Sequence, residues 1–386
     1  MSSSPRRRPT TLGSELMPSS AVREQLQQAA QERITRLRER LERHRLGGAL
    51  LSALPHIRYL TGFSGSSALL LVLREQVHFV TDDRYAEQVR QELFALEGLQ
   101  VHISREPLKA LAAALDGVSV LAFQPEYLSY GTLLEARRRF RPVRLRPLRQ
   151  MVEPLIMQKY PAEIELMRRA AWIASKTFEA VLERIREGMS ERELAAELSY
   201  LARQLGSEGD AFEPIVASGE RGALPHGRAS AKRVRAGELI TMDFGCLVRG
   251  YSSDLTRTVV LGRASSEQRR VYQVVLQAQE RAIGAVRPGV AARAVDAAAR
   301  EWITAAGFGE YFRHSVGHGL GLSVHEPPAL SPRAPARLRL QERTVVTIEP
   351  GIYLPGRFGI RIEDDLCVTT NGAELLTTAT RELLSL

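Results

Sequence analysis

The stretch Gly237–Gly262 reads GELITMDFGCLVRGYSSDLTRTVVLG. It holds two apolar, strand-like runs, each broken by one acid: Asp243 in ITMDFG and Asp254 in YSSDLTRT. A carboxylate inside an apolar strand is costly unless it is paired or binds a metal. Gly245 and Gly250 lie between the runs and can turn the chain, so a hairpin is expected to bring both carboxylates to one place. The pattern returns further on. Glu349 interrupts VVTIEPGIYL, and Glu363 sits in GIRIEDD. Strand alternation there sends Ile360 and Ile362 to one face and Arg361 and Glu363 to the other.

Between the second and third of these acids lies HSVGHGLGLSVHEPP, His314–Pro328, with three imidazoles among three glycines. Eight histidines are present in the chain, and those beyond residue 150 are His226, His314, His318 and His325. Taken singly, each is more often a polar loop residue or a satisfied core histidine. Taken with four strand-borne acids, they read as a site. Four carboxylates cannot share a buried place without cations, and two divalent ions would balance them. Oxygen-rich coordination with one imidazole favours Mn²⁺, with Co²⁺ or Zn²⁺ also compatible. Two such ions could polarise a carbonyl and acidify a water, which is hydrolytic chemistry.

Working outward, the front half alternates short apolar runs with helical stretches. GALLSAL, SALLLVL, VHFVTD, LQVHIS and VSVLAFQ read as strands, and Arg84–Leu96, Leu108–Leu115 and Tyr130–Phe140 as helices. That alternation predicts an α/β layer structure. A charged amphipathic helix over Ala21–Leu46 precedes it, and Pro147, Pro154 and Pro161 mark a linker. Helices are then expected over Ala162–Arg186, Ser190–Leu205, Ser265–Val286 and Ala291–Ala306, with Ser190 and Glu193 forming a capping box. GELITMDFG, GYSSDLTRTVVLG, RTVVTIEPGIYL and GIRIEDDLCVTT are the strands of this α+β half. The domain expectation is a disordered tail over 1–28, an N-terminal domain over 29–150 and a catalytic domain over 151–386.

Composition bounds the function. At 386 residues the chain is long enough for about two domains. Two cysteines, Cys246 and Cys367, exclude a disulfide framework and read as buried hydrophobes in a reducing compartment. The net charge of +9 comes from 49 arginines and four lysines, most of the arginines interspersed with acids. The short run Arg6–Arg8 lies in the tail, and nucleic-acid binding is not expected. No apolar run nears the roughly 20 residues of a membrane span, and the start lacks a secretory core. The expectation is a soluble, cytoplasmic protein.

MDFG, GYSSDLTRT, GHGLGLSVHEPP, IEPGIY and GIRIEDD, in this order over about 120 residues, resemble the motifs of the pita-bread metallopeptidase family. That family includes methionine aminopeptidase, aminopeptidase P, prolidase and the metal-free creatinase. YLTGFSGS (Tyr59–Ser66) and TDDRY (Thr81–Tyr85) resemble the creatinase-type N-terminal domain, which methionine aminopeptidases lack. The resemblance implies an α/β creatinase-like domain followed by an α+β pita-bread catalytic domain. It implies Asp243, Asp254, His318, Glu349 and Glu363 as ligands of two metal ions, Asp254 and Glu363 bridging them and Glu349 serving as general base. His226 and His325 match positions that touch the substrate backbone and stabilise the tetrahedral intermediate. His314 matches a position near the pocket for the residue after the scissile bond. Arg361 and Tyr353 match positions that orient the site, beside the catalytic and substrate-binding groups respectively.

The glycines around His318 are expected to spare a Cβ clash where the backbone passes close to its neighbours. TDDRY is assigned no chemistry, and Gly317-x-Gly319-x-Gly321 has the wrong spacing for a dinucleotide turn. All five ligand types are present, which disfavours creatinase chemistry and a non-catalytic scaffold. The expected activity is Xaa-Pro aminopeptidase on proline-containing peptides, with Xaa-Pro dipeptidase as the alternative. Relatives of this kind imply a homodimer, and neither nucleic acid nor membrane is an expected partner.

Overall fold

The computed structural model describes residues 19–386. The first eighteen residues of the expected tail lie outside the described residues. Its remainder is corrected by the structure: α1 runs Ser19–Arg43. The cause is burial, because Val22 and Leu26 continue the apolar stripe of Ala30, Ile34, Leu37 and Leu41 into the core.

The front half is one six-stranded sheet. Its elements are β1 (Gly48–Leu51), α2 (Leu54–Thr61), β2 (Leu69–Leu73), β3 (Val77–Thr81), α3 (Ala86–Glu92), β4 (Leu99–Ile103), α4 (Pro107–Ala112), β5 (Val120–Phe123), α5 (Tyr130–Arg139) and β6 (Arg144–Pro147). The strand order is β4-β3-β2-β1-β5-β6, with β2 antiparallel to both neighbours and the other pairs parallel. Alternate residues feed the two faces. Ala49, Leu51, Leu70, Val72 and Phe79 pack toward α1 and α2. Leu50, Leu71, Val80, Leu121 and Phe123 pack toward α4 and α5. Two readings need correction. GALLSAL stops being a strand at Leu51, where Leu54 and Pro55 open α2 with proline in the first turn. The linker zone begins with a strand, β6, which pairs in parallel with β5.

After α6 (Glu153–Ile156), the back half starts with α7 (Pro161–Leu182) and α8 (Glu191–Gln204). The Ser190–Glu193 capping box is formed, with Glu193 N–H donating to Ser190 Oγ at 3.2 Å. There follow β7 (Ile215–Ser218), β8 (Leu239–Phe244), β9 (Leu247–Val248), β10 (Tyr251–Ser252), β11 (Leu255–Val260), α9 (Ser266–Ala285), α10 (Ala292–Ala305), β12 (Gly317–Gly319), β13 (Glu326–Leu330), β14 (Val345–Ile348), β15 (Gly351–Leu354), β16 (Phe358–Arg361), β17 (Asp364–Thr369) and β18 (Gly372–Leu375). Helices cover both sides of the strands. Ile240, Met242 and Val345 join the core with α7 and α8, whereas Leu239, Val260, Val346 and Leu366 join the core with α9 and α10.

Three strands expected in this half are broken at the acid, and GYSSDLTRTVVLG becomes β10 and β11, interrupted at Ser253–Asp254. RTVVTIEPGIYL becomes β14 and β15, interrupted at Glu349–Pro350, and GIRIEDDLCVTT becomes β16 and β17, interrupted at Ile362–Glu363. Pro350 has no N–H for a ladder. The latter two breaks lie side by side, since Ile348 pairs with Asp364 and Gly351 with Arg361. Glu349 and Glu363 therefore face each other across one crease.

Candidate metal centre

The hairpin expected at Gly237–Gly262 forms. β8 and β11 are antiparallel with Asp243 opposite Thr256, and a short β9–β10 ribbon makes the tip. Asp243 and Thr241 share one face of β8, and Asp254 continues the face of Thr256 and Thr258. Gly245 is required at the tip, because a Cβ there would sit 2.1 Å from the Ser253 carbonyl.

β12 brings in His318. A Cβ on Gly317 would lie 1.9 Å from the Thr347 carbonyl, and one on Gly319 would lie 2.3 Å from that of Pro327. Gly321 abuts the buried Lys159–Glu326 ion pair. The glycines thus serve close packing on β13, β14 and this pair. His318 Nδ1–H donates to the Gly319 carbonyl at 3.0 Å. That bond fixes the tautomer, leaving Nε2 with a lone pair. Nε2 stands 3.5 Å from Glu349 Oε1 and 3.8 Å from Asp254 Oδ2.

Donor atoms of Asp254, His318 and Glu363 lie within 4.8 Å of one another. Asp243 and Glu349 flank them in the same cavity, about 1130 Å³, which His226, His314, His325 and Tyr353 also line. The crease places Glu363 at the end of the alternation read from Ile360–Ile362, with both isoleucines in the core.

One cation enters the cluster. Arg361 Nη2 donates to Asp243 Oδ2, Nη1 to Tyr353 Oη at 2.9 Å and to the Pro225 carbonyl at 3.1 Å, and Nε to Thr256 Oγ1 at 3.1 Å. Thr256 Oγ1 in turn donates to Glu363 Oε2. Four carboxylates against one guanidinium leave a large negative excess. Burial, followed by the neighbouring carboxylates, pushes Asp254 and Glu363 well above the usual carboxylate range. Burial also pushes Glu349 up to about 8. Asp243 Oδ1 and Asp254 Oδ1 are buried with no hydrogen-bond donor among the described residues. Bare carboxylate oxygens, a neutral imidazole nitrogen and excess negative charge fit divalent cations. These five side chains are the ones that could hold them.

His226, His314 and His325 all line the cavity, and their hydrogen bonding differs. His325 is exposed to the cavity, its ring centroid 4.3 Å from that of His318. His226 lines the same cavity just beyond Pro225, whose carbonyl Arg361 holds. His314 has both ring nitrogens engaged. Nδ1–H donates to the Ser315 carbonyl at 2.8 Å, so Nε2 accepts from Tyr353 O–H at 2.9 Å. Burial and the Arg361 charge lower its pKa to about 4, keeping it neutral.

Two supporting residues escaped the sequence reading. Asp365 Oδ2 accepts the Asp254 N–H at 2.9 Å, and Thr256 links Arg361 to Glu363. Extending the alternation from Glu363 would have placed Asp365 on the site face and Asp364 away from it. Cys246 and Cys367 are free and buried, as expected.

Residues 165–370 match the model of metallopeptidase family M24, and residues 33–155 match the Creatinase/Prolidase N-terminal domain. The chain belongs to metallopeptidase family M24 and has the creatinase-type N-terminal domain and pita-bread catalytic domain of its two-domain members. It is 36% identical to an Xaa-Pro dipeptidase of Pyrococcus horikoshii over 92% of this chain and 99% of that one. Among solved structures, an Xaa-Pro dipeptidase from Bacillus anthracis matches with a TM-score of 0.88 at 38% identity, covering 92% of this chain and all of the other. An X-Pro aminopeptidase from Thermotoga maritima matches with a TM-score of 0.83 at 38% identity, covering 90% of this chain and all of the other.

Proposed function

We propose that this chain hydrolyses Xaa-Pro peptides at a dinuclear metal centre and acts chiefly as an Xaa-Pro dipeptidase. One observation carries the metal-dependent reading: Asp254, His318 and Glu363 converge with Asp243 and Glu349, and two of the carboxylate oxygens have no donor. A non-catalytic scaffold would have no use for so much uncompensated buried charge. The dipeptidase reading revises the aminopeptidase expectation. It is supported by the dipeptidases at 36–38% identity over nearly the whole chain, although the Thermotoga aminopeptidase is as similar in sequence.

In this reading Asp243, Asp254, His318, Glu349 and Glu363 hold two divalent ions, for which the donor set favours Mn²⁺ over Co²⁺ or Zn²⁺. When bound, such ions supply Lewis acidity to a peptide carbonyl and to a water. Glu349, at the crease, takes the proton of the attacking water and returns it to the proline nitrogen as the bond breaks. His325 and His226, on the cavity wall, donate toward the oxygen that gains charge. Tyr353 and His314 hold Arg361, which fixes Asp243 Oδ2 and leaves Oδ1 for a metal.

The test is a peptide panel after loading with Mn²⁺, setting Xaa-Pro dipeptides against Xaa-Pro-Xaa tripeptides and Xaa-Ala controls. Faster turnover of dipeptides is expected. Equal or better cleavage of tripeptides restores the aminopeptidase reading, and indifference to proline removes both. No helix among the described residues is long and apolar enough to cross a membrane. We place the chain in the cytoplasm as a homodimer, with light scattering as the check on assembly.

A further inference from the structure

We propose that Asp296 and Arg300, one turn apart on α10, are positioning residues for the metal centre, acting through His314, Tyr353 and Arg361. The proposal rests on the peptidase reading above. Arg300 grips Asp296 with two prongs, Nε to Oδ2 at 2.7 Å and Nη2 to Oδ1 at 2.9 Å. This pair does more than staple its own helix. Arg300 Nη1 donates to the Phe312 carbonyl at 2.9 Å, and Nη2 to the His314 carbonyl at 2.7 Å. Val316 N–H donates to Asp296 Oδ1 at 3.0 Å. The guanidinium also lies over the Phe312 ring at 4.2 Å, and that ring stands edge-on to His314 at 5.1 Å.

The segment Phe312–Ser315 belongs to no strand, so its backbone has no ladder to hold it. Arg300 supplies the anchors that a ladder would. From His314 the connection runs in one direction. With Nδ1–H committed to the Ser315 carbonyl, Nε2 must accept from Tyr353 O–H, whose oxygen accepts from Arg361 Nη1 at 2.9 Å. Arg361 then holds Asp243 Oδ2 and leaves Oδ1 bare. The aim of that bare oxygen depends on where Arg361 sits, and Arg361 depends on a histidine fixed from outside the cavity. A misplacement of about 1 Å in such a chain costs roughly 10²-fold in rate.

The experiment compares wild type with Arg300→Ala on an Xaa-Pro dipeptide, and follows hydrogen exchange of residues 312–317 in metal-free protein. Arg300→Ala should lose about 10²-fold in kcat, with KM and bound Mn²⁺ within about twofold and faster exchange over 312–317. Because Arg300 borders an open recess of about 760 Å³, guanidinium ion at non-denaturing concentration should enter and restore part of the rate. An unchanged kcat overturns the proposal, as does a lost kcat with wild-type exchange over 312–317. If Arg300→Ala fails to fold, Arg300→Lys, which keeps the charge but not the fork, takes the same measurements under the same criteria. Wild type that cleaves no Xaa-Pro peptide with Mn²⁺ defeats the peptidase reading instead, and the exchange result still reports on the clamp.

Discussion

Two populations of buried acid occur here, and they meet in sequence at Glu363 and Asp364. Asp364 faces Arg257 at 2.7 Å, with Gln279 and Thr377 supplying further donors. Glu163 meets Arg33 at 2.8 Å and Tyr251 O–H at 2.9 Å, and Glu326 meets Lys159. Each of these carboxylates has its own cation. Among the described residues, Asp254, Glu349 and Glu363 have no lysine or arginine ion pair, and the Arg361 guanidinium beside them is spent on Asp243. The ion-paired acids are 2–3% exposed at the side chain, against 6% for Asp254 and 16% for Glu349, so deeper burial is not what sets the second group apart. The difference is provision. An ion pair is a closed arrangement, whereas the cluster at the crease is complete only when cations arrive from solution.

Asp254→Asn and Asp364→Asn put that contrast to its strongest test. Asp254→Asn should abolish turnover, well past the ~10–100-fold typical of partners that only orient ligands, and lower the bound metal, while costing little stability in metal-free protein. Asp364→Asn should do the reverse. It strands Arg257, an error worth about 3–5 kcal/mol in a buried pair, and should lower Tm while folded protein keeps its metal. Thermal melts with metal analysis decide it. If both variants lose stability alike and neither loses metal, the two populations are one.

Chelation separates them without mutation. Removing divalent ions should abolish activity, and Mn²⁺ or Co²⁺ should restore it. Activity untouched by a chelator would mean that the crease works without cations.

How much of this could be read from the sequence varies with the cause. Asp243 and Asp254 were legible because a lone acid in an apolar strand is conspicuous and two glycines announce the turn. Glu349 and Glu363 were legible as residues but not as a crease, since strand breaks depend on which neighbour each half pairs with. β6 was missed because RLRP lacks an apolar pattern, its burial reading exposed, intermediate, exposed, exposed. The start of α1 at Ser19 was legible to within two residues in the helix expected over Ala21–Leu46, and it was the tail boundary at residue 28 that was misplaced, because Val22 and Leu26 find their apolar partners only in the folded core. The sequence likewise could not show that His314 has both nitrogens occupied, because the Ser315 carbonyl and Tyr353 reach it only in three dimensions.

A smaller effect tests the border of the cluster. Tyr353→Phe removes the oxygen between His314 and Arg361, and His314→Ala removes the acceptor beyond it. Each should lower kcat by ~10–100-fold, the usual cost of losing an orienting partner, with metal content near wild type. Metal lost with either substitution would move that residue into the ligand set.

The smallest effect concerns charge at the cavity mouth, where the dipeptidase reading must find a receptor for the substrate's free carboxylate. Arg228 and Arg333 line the cavity away from the crease. Arg228 stands 3.6 Å from Glu213, whereas Arg333 has no ion pair among the described residues. By the contrast drawn above, Arg333 is a cation awaiting a partner, the inverse of the acids at the centre. Its exposure limits its worth, because water and salt screen such contacts. Arg333→Ala should raise KM for an Xaa-Pro dipeptide by about fivefold, the scale of an exposed ion pair, and leave kcat unchanged. The same substitution should leave the KM for the matching Xaa-Pro amide unaltered, because that substrate carries no carboxylate. An equal rise for both substrates would show that Arg333 shapes the cavity without reading the charge, and the carboxylate receptor would then have to be sought on another element.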